Sequence, residues 1–138
     1  MTGPRQVGRK LDMSSGRGSF ERSFRDSDRE GYDQKIADLA KKIDEQGARL
    51  TKKIDIAEME RYRTLVSELL NEVVSNAYAF RKENSFDSRG KRQVYATVMK
   101  INEKLEKMAK DILGGHGDAL EMIGNIDDIR GLIVDILL

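Results

Sequence analysis

The 138-residue sequence contains no cysteine, no tryptophan and a single proline, Pro4. Without cysteine there is no disulfide framework and no thiol nucleophile, a composition that suits a reducing compartment. With one histidine and no cysteine, the usual ligand sets of a zinc site cannot be assembled. Because the lone proline lies near the start, nothing after it forces a helix to break. Charge of one sign is also missing. Lys plus Arg total 25 against 24 for Asp plus Glu, so the bulk charge implies neither a nucleic-acid nor a membrane partner. The start lacks an apolar h-region, and the longest apolar stretch, at the C-terminus, is far short of the ~20 residues that span a bilayer. These absences predict a cytoplasmic protein without a membrane segment.

What is present is the material of a helical bundle. The length fits one domain with a modest core. Charged residues make up 36% and aromatics only 6%, and the mix of Lys, Glu, Leu, Ile and Ala is typical of bundles and coiled coils. Residues 1–31 carry seven basic and five acidic groups, with glycine and serine spread among them. Their apolar groups are too sparse to offset ordering entropy, so this segment reads as a flexible tail ahead of a domain over 32–138. Phe20 and Phe24, four apart, are the exception, and would share a face if the segment folded against something.

From Asp33 onward the apolar residues recur at helical steps. Ile36, Leu39, Ala40, Ile43, Gly47, Leu50 and Ile54 predict a first helix over about 33–53. Gly47 interrupts it at a cost of about 1 kcal/mol relative to Ala. The stripe stays in register across it, so the glycine reads as a place where a neighbour approaches closely; a break there is the alternative. Asp55 then resembles an N-cap, with Glu58 placed to complete a capping box and Ile54 and Met59 placed as a hydrophobic staple. The stripe Met59, Tyr62, Leu65, Val66, Leu69, Leu70, Val73, Val74, Ala77 and Phe80 predicts a second helix over 56–82, wide enough to touch two neighbours. Turn residues at 84–90 lead to a third helix over 90–113, capped by Asp87 or Ser88. Its stripe is Val94, Tyr95, Val98, Ile101, Asn102, Leu105, Met108, Ala109 and Ile112. Gly114-Gly115-His116-Gly117 ends it. Asp118 and Glu121 repeat the capping arrangement and open a fourth helix over 118–138. Its stripe is Ala119, Leu120, Ile123, Ile126, Ile129, Ile133, Ile136 and Leu137, and its last turn is apolar nearly all round. Such a turn belongs inside the bundle or in a subunit interface. Short links favour antiparallel neighbours. The expected fold is all-α: an antiparallel bundle of about four helices with a flexible N-terminal tail.

Several short motifs stand in order along the chain. They are Gln46-Gly47 with Leu50, Tyr62 with Leu65-Val66, Ser88-Arg89-Gly90 with Tyr95, and Ile129-Arg130-Gly131-Leu132. On these the stretch from about 40 to 138 resembles the YaaR-like family of small uncharacterised bacterial proteins. The resemblance implies a helical, cytoplasmic, bacterial protein and carries no activity with it.

Candidate chemistry is sparse. His116 lies among glycines, which position a catalytic base poorly, and reads as a solvent-exposed linker residue. The glycine run lacks the Gly-Lys-Ser/Thr ending of a phosphate loop and an acid follows it, so it is helix punctuation. Glu121, Asp128 and Asp135, at seven-residue steps, align on one polar side; without Glu-x-x-His pairs they read as a solvated face. No cofactor is implied. The loop Arg89-Gly90-Lys91-Arg92 is more distinctive, because three cations meet the positive end of a helix and Arg81 and Lys82 close the preceding one. Arg81, Lys82, Arg89, Lys91 and Arg92 are therefore the candidate anion or partner site. Arg130 sits on a helix expected to be apolar on its inward side, and a buried Arg needs a carboxylate. Asp127, at i−3, is the candidate for a structural ion pair, with Glu68 or Glu72 facing it from another helix. The functional expectation is a non-enzymatic interaction or scaffold module with an unidentified protein partner or a second copy of itself. The alternative is nucleic-acid or anion binding through the basic 81–92 loop and the tail.

Overall fold

The computed structural model describes the backbone of residues 16–81 and 88–137, and the side chains of residues 30–76, 90 and 92–137. Four α-helices follow one another: α1 (Gly16–Lys52), α2 (Ile56–Arg81), α3 (Ser88–Leu113) and α4 (Ala119–Leu137). Among the described residues there is no strand. The chain divides into two compact units, Met1–Lys35 and Ile36–Leu138.

In the first unit the described residues are helical from Gly16 onward. The sequence reading, with a tail to residue 31 and a helix from about 33, therefore starts α1 too late. Glu30, Gly31 and Asp33–Lys35 are exposed and Tyr32 is half-buried. Hydrophobic periodicity reports which side chains are buried, whereas a helix needs only its own backbone bonds. An exposed stretch of helix leaves no such signature.

The second unit is the antiparallel bundle. Ile36, Leu39, Ile43 and Leu50 of α1 enter the core, followed by Met59, Tyr62, Val66, Leu69, Leu70 and Val73 of α2. Helix α3 adds Ile101, Leu105, Met108 and Ala109, and α4 adds Met122, Ile126, Ile129 and Ile133. Alternating directions show in the cross-helix pairs. Lys104 meets Asp128 while Lys107 meets Glu121, so α3 and α4 run oppositely. Asp44 meets Arg130 while Gly47 lies against Ile126, so α1 and α4 do too.

The helix termini account for much of this order. Asp55 Oδ1 accepts the Glu58 amide at 2.8 Å, and Asp118 Oδ2 accepts the Glu121 amide at 3.1 Å. Each supplies the N-cap bond that an opening helix otherwise lacks. The reciprocal arm of a capping box is replaced in both places. Glu58 turns its carboxylate to Gln46 and Arg61, and Glu121 turns its own to Lys107. Helix α3 ends in a Schellman motif. Gly115 takes φ +78°, its amide donates to Ile112 O, and the His116 amide donates to Asp111 O at 2.7 Å. Ser88 lies inside α3, and Asp87 lies outside the described residues.

Helix α1 passes through Gly47 without a break. A Cβ there would stand 3.2 Å from Ile126 Cγ2 and 3.4 Å from Tyr62 Cε1. The glycine therefore lets α2 and α4 close on α1 at one point.

Candidate interaction surface

Three polar arrangements lie along the helix junctions of the bundle. At the α1–α2 junction, Gln46 is buried and its Nε2 donates to Glu58 O at 3.1 Å and to Glu58 Oε1 at 2.7 Å. Arg61 approaches the other Glu58 oxygen at 3.0 Å. The Gln46 bond holds the Glu58 carboxyl below the usual carboxylate range; burial, the next effect, opposes it, and Arg61 adds to the lowering. Nothing in the apolar periodicity singled out Gln46, because an inward-facing amide interrupts the stripe that periodicity detects.

Beside it, Tyr62 is almost wholly buried, and burial pushes its phenol well above the ordinary value of 10.0. The charges acting on it are Arg130, Asp44 and Asp127. Arg130 Nε donates to Asp44 Oδ1 at 3.2 Å, and Arg130 Nη1 lies 3.7 Å from Asp127 Oδ1. The i−3 pairing with Asp127 is thus present in the geometry. The cross-helix carboxylate is Asp44 of α1, where the sequence suggested Glu68 or Glu72 of α2. The expected burial is also corrected: about half of the Arg130 side chain is exposed, as are those of Asp44 and Asp127. Arg130 lies on the outer side of α4 because Ile126, Ile129 and Ile133 take the inner one.

On the other flank of α4, the heptad-spaced acids meet lysines of α3. Lys107 Nζ reaches Glu121 at 3.0 Å and Asp111 at 3.4 Å, and Lys104 Nζ reaches Asp128 at 3.1 Å. Glu121 and then Asp111 hold the Lys107 ammonium above its ordinary pKa. Lys100 and Asp135 line the continuation of this row, along an open groove of about 610 Å³. The solvated acidic face of the sequence reading is therefore one side of a cross-helix ion ladder. Exposed pairs of this kind set register more than they add stability. Among the described residues no three His, Cys, Asp or Glu side chains cluster as metal ligands. One buried polar atom among them, Asn125 Nδ2, has no hydrogen-bond partner.

The feature that the sequence misassigned is the outer face of α4. Leu120, Ile123 and Leu137, expected in the inward stripe, are exposed by 78, 43 and 40%, and Val134 by 46%. Asp127 and Arg130 lie between these two apolar ends, and Gly124 and Gly131 flank them with open space where a Cβ would stand. Because α4 is apolar on more than one side, periodicity cannot tell which side turns inward; packing against α1 and α3 selects Met122, Ile126, Ile129 and Ile133.

The basic tip falls largely outside the described residues. The side chains of Arg81, Arg89 and Lys91 and the whole of Lys82 lie there, while Arg92 is described and exposed. His116 is exposed, as expected of a linker residue.

Fold and surface together define a small all-helical bundle protein with an uncovered apolar helix face. The chain belongs to the family described as "Protein of unknown function (DUF327)", matching it over residues 4–137. It is 24% identical over 118 residues to "Uncharacterized protein YaaR" of Bacillus subtilis (strain 168), covering 86% of this chain and 81% of that one. The fold is shared with two crystal structures. One is protein TM1646 from Thermotoga maritima, with a TM-score of 0.72 at 18% identity, covering 86% of this chain and 97% of that one. The other is uncharacterized protein BH1478 from Bacillus halodurans, with a TM-score of 0.71 at 23% identity, covering 88% and 97%. Among the described residues no helix is long and apolar enough to cross a membrane.

Proposed function

We propose that this chain is a non-enzymatic, cytoplasmic protein–protein interaction module whose working surface is the outer face of α4. The observation that carries the reading is the exposure of Leu120, Ile123, Val134 and Leu137 on one helix, with an ion pair between them. Exposed apolar patches rimmed by polar groups mark contact sites, since covering them removes apolar area from water. The composition, without cysteine and with nearly balanced charge, supports an intracellular setting and a protein rather than a polyanion as partner.

The test is co-purification of the tagged full chain from its native cell, with nuclease and high salt, beside an Ile123→Lys/Val134→Lys variant. The reading expects a near-stoichiometric protein partner, which includes an untagged copy of the chain itself. It should survive nuclease and salt and be lost from the variant, while helical circular dichroism stays unchanged. Capture that is equal in both proteins, or that disappears with nuclease, overturns it. The second outcome would return attention to the basic 81–92 segment.

A further inference from the structure

The exposed stripe on α4 has an order of its own. Leu120, Asp127 and Val134 recur at seven-residue steps, and Ile123, Arg130 and Leu137 recur three residues after each of them. These are the a and d positions of a heptad, and all six are exposed at their side chains. Reading outward from the middle, the stripe is charged at the centre and apolar at both ends, with Asp127 and Arg130 as the central pair.

We propose that this face pairs with the same face of a second copy, antiparallel, about a two-fold axis between Asp127 and Arg130. The inference rests on the interaction reading above and names its partner. A two-fold interface requires that if residue i meets residue j, then j meets i. In an antiparallel register the stripe satisfies this at every position. Leu120 meets Leu137 of the second copy, Ile123 meets Val134, and Asp127 meets Arg130. Apolar faces apolar at both ends, and opposite charges face each other twice at the centre. A parallel pairing would instead stack Asp127 on Asp127 and Arg130 on Arg130, a like-charge arrangement that disfavours it. The charge pattern therefore selects both the occupant and its direction.

Two further features fit. Arg130 uses Nε on Asp44 and Nη1 near Asp127, and a guanidinium has five donors, so capacity remains for the carboxylate of a second copy. Gly124 and Gly131 flank the stripe with nothing within 4 Å of a Cβ position, which lets a second helix settle closely. The face is roughly 26 Å long and 10 Å wide, from the rise and diameter of a helix. That is smaller than the ~800 Å² per partner of a standard stable interface, so the pairing is expected to be weak and to show only at high concentration.

The experiment uses the purified full chain, whose lack of cysteine allows single thiols to be placed without background. Sedimentation from 10 µM to 1 mM is expected to show mass rising from one chain toward two. Ile123→Lys should raise the dissociation constant at least tenfold with unchanged helical circular dichroism. Under mild oxidation, Asp127→Cys should link to itself, because its two copies sit about three residues apart along the axis. Leu120→Cys alone should not link, whereas a mixture of Leu120→Cys with Leu137→Cys should. A monomer throughout the concentration range overturns the proposal, as does self-linking of Leu120→Cys or a dimer indifferent to Ile123→Lys. The two readings fail separately. A purified chain that stays monomeric while losing a cellular partner on Ile123→Lys/Val134→Lys removes the self-pairing and leaves the interaction reading intact.

Discussion

Replacing Gly47 by alanine sets two effects of known size against each other. In a helix interior alanine is favoured over glycine by about 1 kcal/mol, so propensity alone makes Gly47→Ala stabilising. The new methyl, however, would stand 3.2 Å from Ile126 Cγ2 and 3.4 Å from Tyr62 Cε1, inside the 3.5–4.0 Å of comfortable carbon contact. Neither neighbour yields easily. Ile126 Cγ2 is a branch on a β-branched side chain with few χ1 choices, and Tyr62 is almost fully buried. Overpacking of this kind costs about 1–3 kcal/mol, so the net expectation is a chain less stable by about 0–2 kcal/mol. The assay is urea unfolding followed by circular dichroism, where each kcal/mol moves the midpoint by roughly 0.3–1 M for an m-value of about 1–3 kcal/mol/M. Gly131→Ala, measured in dilute protein, is the reference, since its Cβ meets nothing within 4 Å and should show the propensity gain alone. In an Ile126→Ala background the clash with Cγ2 is gone, so Gly47→Ala should turn stabilising, a coupling of about 1–2 kcal/mol. If Gly47→Ala stabilises the natural chain as much as Gly131→Ala does, the close approach of α4 at this point is not what the glycine is for.

Two other outcomes follow from the termini and the buried groups. Asp55→Ala removes the acceptor of the Glu58 amide and should lower stability by about 1 kcal/mol, with Asp55→Asn recovering most of it, as read by urea midpoints. Stability should also fall at both ends of the pH range. Because the folded chain holds Glu58 below its ordinary 4.5, its contribution is present above that pH and is lost as pH falls through the lower folded value; Gln46→Leu should reduce this acid dependence. Because the folded chain raises Tyr62 above 10.0, its contribution is full below pH 10 and is lost at higher pH. Tyr62→Phe should flatten the alkaline limb, and an unchanged limb would show that other groups, Lys107 among them, govern it.

The local signals in the sequence were those that depend on neighbouring residues alone. Asp55 and Asp118 as N-caps and the glycine run after Leu113 as a terminator are legible because capping and chain reversal use bonds within a few residues; Gly47 as a contact point was legible because the apolar stripe stays in register across it. The ion pair of Arg130 with Asp127 was legible for the same reason, lying one helical turn apart. Its second partner, Asp44, was not, because 86 residues separate the two. Gln46 was hidden likewise, since its value lies in reaching Glu58 across a helix junction.

By itself, then, the sequence determined that this protein is helical, where its bundle helices begin and end to within a few residues, and which family it resembles. The start of α1 escaped it, because a helix needs only its own backbone bonds, and the exposed residues Glu30, Gly31 and Asp33–Lys35 carry no burial pattern. What only the tertiary structure decided is which side of α4 faces inward. That helix is apolar on more than one side, so more than one orientation would bury apolar residues, and the competition is settled by the surfaces α1 and α3 offer. Met122, Ile126, Ile129 and Ile133 fill the core, and Leu120, Ile123, Val134 and Leu137 are left in water. The choice that periodicity could not make is the one that leaves this stripe, with Asp127 and Arg130 at its centre, on the outside.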